Sequence, residues 1–275
     1  MSYAEAEAYE GRGAIKIHDP KVAFPGMAAA GRLAAACLDM LVSETKAGVT
    51  TGRLDDLARQ FVFDNGALPA CVFYRGYRHT ICTSLNHVVC HGIPGERVLK
   101  DGDIVNIDVT VILDGWHGDT SRMYAIGDVG RKAERLMDVT YEAMMRGIAA
   151  VKPGATLGDL GHAIQSYAEG ERTAVVREFC GHGLGRIFHD APNILHFGKV
   201  GQGAVLKPGM IFTVEPMLNI GSPSVKVLND GWTAVTKDKS LSAQYEHSVG
   251  VTEDGVEIFT KSPAGLDRPH AVKAA

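Results

Sequence analysis

Two acids stand in a β-rich stretch, Asp108 in Asn106-Ile107-Asp108-Val109-Thr110 and Asp119 in Gly118-Asp119-Thr120-Ser121. Between them Asp114-Gly115 has the chemistry of a two-residue hairpin turn. Folding about that turn sets Leu113 opposite Trp116 and Asp108 opposite Ser121. Asp119 then shares the face of Asp108 as a diagonal neighbour, roughly 7–8 Å away at the backbone. Two acids on one half-buried face repel and are costly to desolvate unless cations lie between them. A pair of divalent ions roughly 3.5–4 Å apart fits that spacing. Taken alone, Asp119 would read as an idle, solvated loop acid; its company points to metal chemistry.

That company lies far along the chain. Phe179-Cys180-Gly181-His182-Gly183-Leu184-Gly185-Arg186-Ile187-Phe188-His189 sets two imidazoles in a glycine-rich segment, where the backbone can approach a ligand closely. Glu215 precedes Pro216, so its backbone is held extended. Glu246, in Ala243-Gln244-Tyr245-Glu246-His247, sits at a strand start, where a surface salt bridge would be the plain reading of it in isolation. Two Asp, two Glu and one His at apolar or glycine-rich positions form an oxygen-rich donor set with one imidazole, suited to divalent Mn, Fe, Co or Zn. His162, His196 and His270 read as ordinary hydrogen-bonded histidines.

The elements that must carry these groups fall into two halves. Asp19-Pro20 reads as a helix N-cap followed by proline at the first helical position. Pro25-Gly26 argues against a clean helix there; beyond it Ala30, Leu33, Cys37, Leu38, Leu41 and Val42 form one stripe ending near Gly48. A second helix opens at Thr51 and closes at Gly66. Residues 70–126 are β-rich, 131–151 have helical spacing, and Thr156 with Asp159 is a capping-box start for another helix. Residues 174–260 read as strands and turns. Lys46-Ala47-Gly48-Val49-Thr50-Thr51-Gly52-Arg53-Leu54 recurs 106 residues later as Lys152-Pro153-Gly154-Ala155-Thr156-Leu157-Gly158-Asp159-Leu160. Val98-Leu99-Lys100-Asp101-Gly102-Asp103-Ile104 recurs 107 residues later as Val205-Leu206-Lys207-Pro208-Gly209-Met210-Ile211. Carried forward, the second offset brings Asp108 onto Glu215, one carboxylate from each half. The expected organisation is a mobile leader over 1–14, a single catalytic domain over 15–262 with halves at about 19–126 and 131–260, and a tail over 263–275.

Composition narrows the class. The chain has 275 residues, 28 Lys+Arg against 32 Asp+Glu and a net charge of −4, which speaks against a broad nucleic-acid footprint. No apolar run reaches the ~18 residues of a membrane span, and the acidic start lacks the signature of a secretory signal. Five cysteines with no Cys-x-x-Cys pair are expected as free thiols in a reducing cytoplasm.

The Asn106–Thr110 and Gly118–Ser121 motifs, Cys180-Gly181-His182-Gly183-Leu184-Gly185, Thr213-Val214-Glu215-Pro216-Met217 and Gln244-Tyr245-Glu246-His247 together resemble the type I methionine aminopeptidases, in the family's order and over about residues 19–260. The resemblance implies an α+β pita-bread fold, with pseudo-two-fold halves about a curved antiparallel sheet covered by helices on one face. It implies two divalent ions (Co, Fe, Mn or Zn) on Asp108, Asp119, His182, Glu215 and Glu246, with Asp119 and Glu246 bridging. Their bridging hydroxide would attack the carbonyl after the first residue. Glu215 would shuttle the proton, with His91 and His189 at the scissile bond. Cys71, Tyr74, Tyr77, Cys82, Phe188 and Trp232 match the methionine pocket. Asn86, Val88 and Ser242 match backbone positions that hold a sodium or potassium ion. The implied substrates are nascent polypeptide N-termini with a small second residue. The chain would be a cytoplasmic monomer of the short bacterial form, in transient contact with the ribosome and without nucleic-acid specificity or a membrane. Arg75 and His87 depart from the family's pattern, standing where well-known bacterial members carry histidine and glutamate; the metal set is intact. The alternatives are an Xaa-Pro-type aminopeptidase of the same fold and a non-catalytic pita-bread binding module.

Overall fold

Asp19 accepts a hydrogen bond from the Lys21 backbone and Pro20 opens the first helix, α1 (Pro20–Leu41). A computed structural model describes residues 14–268. The leader expected over 1–14 falls almost wholly outside the described residues, as do His270 and the end of the tail. Against expectation, α1 runs straight through Pro25 and stops at Leu41 rather than near Gly48. Proline here removes a bond to the carbonyl of Lys21, and both residues are exposed, so water can serve that carbonyl.

The rest of the first half is α2 (Thr51–Asp64), β1 (Leu68–Pro69), β2 (Ile81–Leu85), β3 (Val88–Cys90), β4 (Ile104–Leu113) and β5 (Trp116–Ala125). The second half begins with α3 (Arg131–Ala149) and α4 (Leu157–Gly170). Its strands are β6 (Ala174–Val175), β7 (Gly181–Gly183), β8 (Asp190–Ile194), β9 (Ile211–Val214), β10 (Met217–Asn219), β11 (Val225–Val227), β12 (Ala234–Thr236), β13 (Ser242–Gln244), β14 (His247–Val251) and β15 (Val256–Ile258). Each half is thus two helices followed by strands. The strands form four hydrogen-bonded segments: β1-β4-β2 with β5 on β4, β15-β14-β9-β7-β8, β13-β10-β6, and β11-β12-β3.

The internal repeat is a repeat of hydrogen bonds. Thr50 bridges Val98, and Thr156 bridges Val205. Gly48 donates to Leu99 and Gly154 to Leu206; Gly52 donates to Gly95 and Gly158 to Gln202. In each half this clasp ties the start of the second helix to the segment leading into the first long strand. Thr156 and Asp159 close the expected capping box on α4.

Two apolar cores lie beneath the two helix pairs. Leu38 and Leu41 of α1, with Leu54 and Ala58 of α2, pack on Val105, Ile107, Val109 and Val111 of β4. Leu136, Met144 and Ile148 of α3, with Leu160 and Ile164 of α4, pack on Phe212 and Val214 of β9 and Val249 of β14. Since side chains alternate along a strand, Asn106, Asp108 and Thr110 of β4 point away from the helices. Buried Arg122 on β5 pairs with Asp39 on α1, which Ser262 also contacts, so the hairpin, α1 and the C-terminal segment are pinned together.

Helix α1 lies directly on β5 at Gly118, where an added Cβ would come far inside van der Waals contact with the Ala30 carbonyl oxygen. We expect Gly118→Ala to cost about 1–3 kcal/mol of stability through overpacking. Scanning calorimetry would show this as a thermal midpoint lowered by several degrees; an unchanged midpoint would mean that α1 can retreat without penalty.

Candidate metal centre and active site

The β4–β5 hairpin has the register read from its turn. Leu113 faces Trp116, Asp108 faces Ser121, and Asp119 faces Thr110. The turn residues Asp114 and Gly115 both have positive φ, 49° and 77°, as a tight hairpin requires. Thr110 donates to Asp119 Oδ1 at 2.6 Å, leaving Oδ2 to face the cavity. Asp108 Oδ1 is buried with no hydrogen-bond partner.

His182 comes from the opposite half, on β7. Glycine is required beside it, since a Cβ on Gly183 would collide with the Ala191 carbonyl. The ring nitrogen Nδ1 donates to the Gly183 carbonyl at 3.0 Å. That fixes the tautomer and turns the Nε2 lone pair inward. Nε2 lies 3.5 Å from Asp119 Oδ2 and 3.6 Å from Glu215 Oε1. A lone pair facing two carboxylates is repulsive unless a cation lies among them.

Glu215 follows β9 and is held through both oxygens: Thr213 donates to Oε1 at 2.7 Å and Gln244 donates to Oε2 at 3.2 Å. Glu246 lies between β13 and β14 and bridges to Ser121 on β5; its carbonyl accepts from Thr120 at 2.7 Å. Ligand atoms of Asp119, His182 and Glu246 all lie within 4.8 Å of one another. Asp108 and Glu215 line the same cavity of about 340 Å³.

Burial dominates the electrostatics. It pushes Asp108 up to about 7. Burial first and neighbouring acids second push Asp119, Glu215 and Glu246 well above the carboxylate range. Burial also lowers His182 to about 4 and His189 well below its usual value, and lowers His91. Metal-free, the cavity therefore holds neutral imidazoles and acids that resist ionisation, a combination relieved by divalent charge. The donor set and the unpartnered Asp108 oxygen both fit such ions.

All six expected pocket residues, Cys71, Tyr74, Tyr77, Cys82, Phe188 and Trp232, line this cavity with His91 and His189. Tyr74 packs on Phe188 and His189 at ring separations of 5.0 and 4.8 Å. Cys90 and Cys180 line it too, and all five cysteines are free thiols. Arg75 stands at the exposed mouth, its guanidinium 5.4 Å from the Tyr74 ring. The expected cation positions come together elsewhere: Ser242 N donates to the Asn86 carbonyl at 2.8 Å, and Val88 pairs with Val235. His87 is exposed beside them.

Residue-by-residue reading missed Thr110, Thr213 and Gln244, which orient the acids. The hairpin register marks Thr110, since it sets that residue opposite Asp119. Gln244 stood within a recognised motif, but nothing local marked its target.

The sequence profile of metallopeptidase family M24 matches residues 25–253. The methionine aminopeptidase of Rickettsia prowazekii (strain Madrid E) is 59% identical over 256 residues, covering 93% of this chain and 98% of that one. The methionine aminopeptidase of Escherichia coli (strain K12) is 50% identical over 249 residues, covering 90% and 94%. The crystal structure of methionine aminopeptidase from Rickettsia prowazekii superposes with a TM-score of 0.89, covering 90% of this chain and 100% of that one. Profile, sequence and fold agree with the carboxylate–imidazole cavity that the two halves enclose, and the chain belongs to metallopeptidase family M24, among its methionine aminopeptidases.

Proposed function

We propose that this cavity removes the N-terminal methionine from peptides and nascent proteins, with Asp108, Asp119, His182, Glu215 and Glu246 holding two divalent ions. The observation that carries the reading is the convergence of these five side chains, from both halves, on one cavity beside an apolar, sulfur-compatible slot. When bound, the ions would supply charge that acidifies a water near neutral pH and polarises the scissile carbonyl.

The chain's own groups supply the rest. Glu215, held at both oxygens, accepts the proton of the attacking water and passes it to the leaving amide nitrogen. His189, neutral through burial, donates a hydrogen bond to the carbonyl oxygen as negative charge develops there. His91 lies on the other wall, edge-on to Phe179 at 5.4 Å, and assists the leaving nitrogen. Cys71 and Cys82 offer polarizable thiols to a thioether, and Tyr77, Phe188 and Trp232 offer aromatic contacts, each sulfur–aromatic contact worth roughly 0.3–1.5 kcal/mol. The same reading favours a small second residue.

Asn86, Val88 and Ser242 would offer backbone carbonyls to a sodium or potassium ion. The Asn86 carbonyl already accepts from Ser242 N, so its second lone pair would serve. The same reading makes the chain a cytoplasmic monomer that meets its substrates as they leave the ribosome. Among the described residues no helix is long and apolar enough to cross a membrane.

The direct test is hydrolysis of Met-Ala peptides by metal-stripped protein titrated with Fe(II), Mn(II), Co(II) and Zn(II), beside Ala-Pro peptides. Cleavage confined to Ala-Pro would instead favour the Xaa-Pro reading, and no cleavage with any metal the binding module.

Two variants sharpen it. We expect Asp119→Asn to abolish cleavage and lower metal stoichiometry while circular dichroism stays native; full activity would remove Asp119 from the ligand set. Asp108→Asn tests the metal-free fold. The folded-state pKa of Asp108, about 7, lies above its ordinary value of 3.8. Folded protein therefore binds more protons than unfolded protein between those values, and stability falls as pH rises through them. In chelator at pH 8, Asp108→Asn should be the more stable protein by on the order of 1–4 kcal/mol, a gain that shrinks toward pH 4. Urea unfolding at several pH values measures this, and a pH-independent difference would contradict it.

A further inference from the structure

The ladder between β9 and β14 comes apart at the metal site. Its last register pair is Val214 with His247. One residue further on, the N–H of Glu246 faces away from β9 and donates to Ser121 on β5. In this register the hydrogen-bonded pairs are Met210 with Val251, Phe212 with Val249 and Val214 with His247, so the N–H of Glu215 points to the other side of β9, toward β7, whose pairing with β9 ends at Gly183 with Phe212. Buried backbone donors are almost never left unpaired.

The missing acceptor is a side chain. Glu215 N donates to His196 Nε2 at 3.1 Å. His196 follows β8 and is 0% exposed. Because Nε2 accepts, the ring proton must sit on Nδ1, and Nδ1 is buried with no hydrogen-bond partner. Among the described residues the bond to Glu215 is thus the ring's one polar contact. An apolar side chain would fill this space without stranding a nitrogen, so packing gives no reason for an imidazole here.

We infer that His196 is a positioning residue for Glu215: it supplies the acceptor that the β7–β9 pairing no longer offers beyond Phe212, and so fixes the backbone from which the carboxylate is aimed. Thr213 and Gln244 hold the two carboxylate oxygens, and His196 holds the main chain behind them. The inference rests on the proposed role of Glu215 in ligation and proton transfer.

Two substitutions separate this from a packing role. His196→Gln keeps an acceptor oxygen at similar reach; His196→Leu keeps apolar volume without an acceptor. With Met-Ala peptide, His196→Leu should lower kcat roughly 10–100-fold, as loss of a group orienting a metal ligand typically does. KM should stay within about twofold, and His196→Gln should recover most of the kcat. Hydrogen exchange at the Glu215 amide, slow in the native protein and in His196→Gln, should be fast in His196→Leu. Metal titration by calorimetry should show weakened binding in His196→Leu alone. Wild-type kcat in His196→Leu, or equal losses in the two variants, would overturn the inference. If His196→Leu does not fold, His196→Gln decides: native kcat and a protected Glu215 amide support the inference, and an unprotected amide overturns it. If the native protein cleaves no peptide, the proposed function fails, while amide exchange still reports on His196.

Discussion

Four carboxylates line one cavity in this protein, and at three of them neighbouring acids add to the burial that opposes ionisation. Asp119 raises Glu215 and Glu246, and Asp108 raises Asp119. Concentrating like charge in a low-dielectric cavity works against folding, so a chain that keeps such a cluster must gain something from positive charge placed there. The surrounding architecture makes the same demand. The inward lone pair of His182, the unpartnered oxygen of Asp108 and the threonine and glutamine clamps all hold donors apart around a space suited to cations. Neutral imidazoles at His91 and His189 flank that space without adding charge to it.

This constraint explains why the site lies where the halves meet. Neither half alone supplies enough donors: Asp108 and Asp119 come from one hairpin, and His182, Glu215 and Glu246 come from the other half. The repeated clasps at Thr50–Val98 and Thr156–Val205 orient each half's long strand in the same way relative to its helices. Both strands therefore present an acid at an equivalent place, 107 residues apart. Apolar residues on the helix-facing side of β4 and β9 anchor both strands, leaving the opposite side free for chemistry.

Much of this was legible where the signal is local. Asp114-Gly115 with alternating flanks was sufficient to set the hairpin register and thus the pairing of the two acids. The Lys-x-Gly repeats revealed the halves. Less legible was whatever depends on where distant segments end up. Pro25 reads as a helix breaker, yet it stands within α1, where it and Lys21, whose carbonyl it leaves unpaired in the helix, are both exposed. Gln244 reaches Glu215 across strands, and the departure of Glu246 from its ladder toward Ser121 is a property of three strands together. His196 looked like an ordinary buried histidine for the same reason, since its partner is a backbone N–H that lies just beyond the end of the β7–β9 pairing.

The thiols along the cavity wall carry a consequence of their own. Burial above all, reinforced by the nearby acids, holds Cys71, Cys82 and Cys90 far above the usual thiol value and raises Cys180. A protonated sulfur is a weak nucleophile and a weak ligand. Soft donors thus stand beside the oxygen donors without competing with them, and incoming thiophilic ions gain no sulfur cage. Electrophiles that reach the chamber meet inert S–H groups, so the wall can offer a thioether polarizable company without becoming its most vulnerable surface.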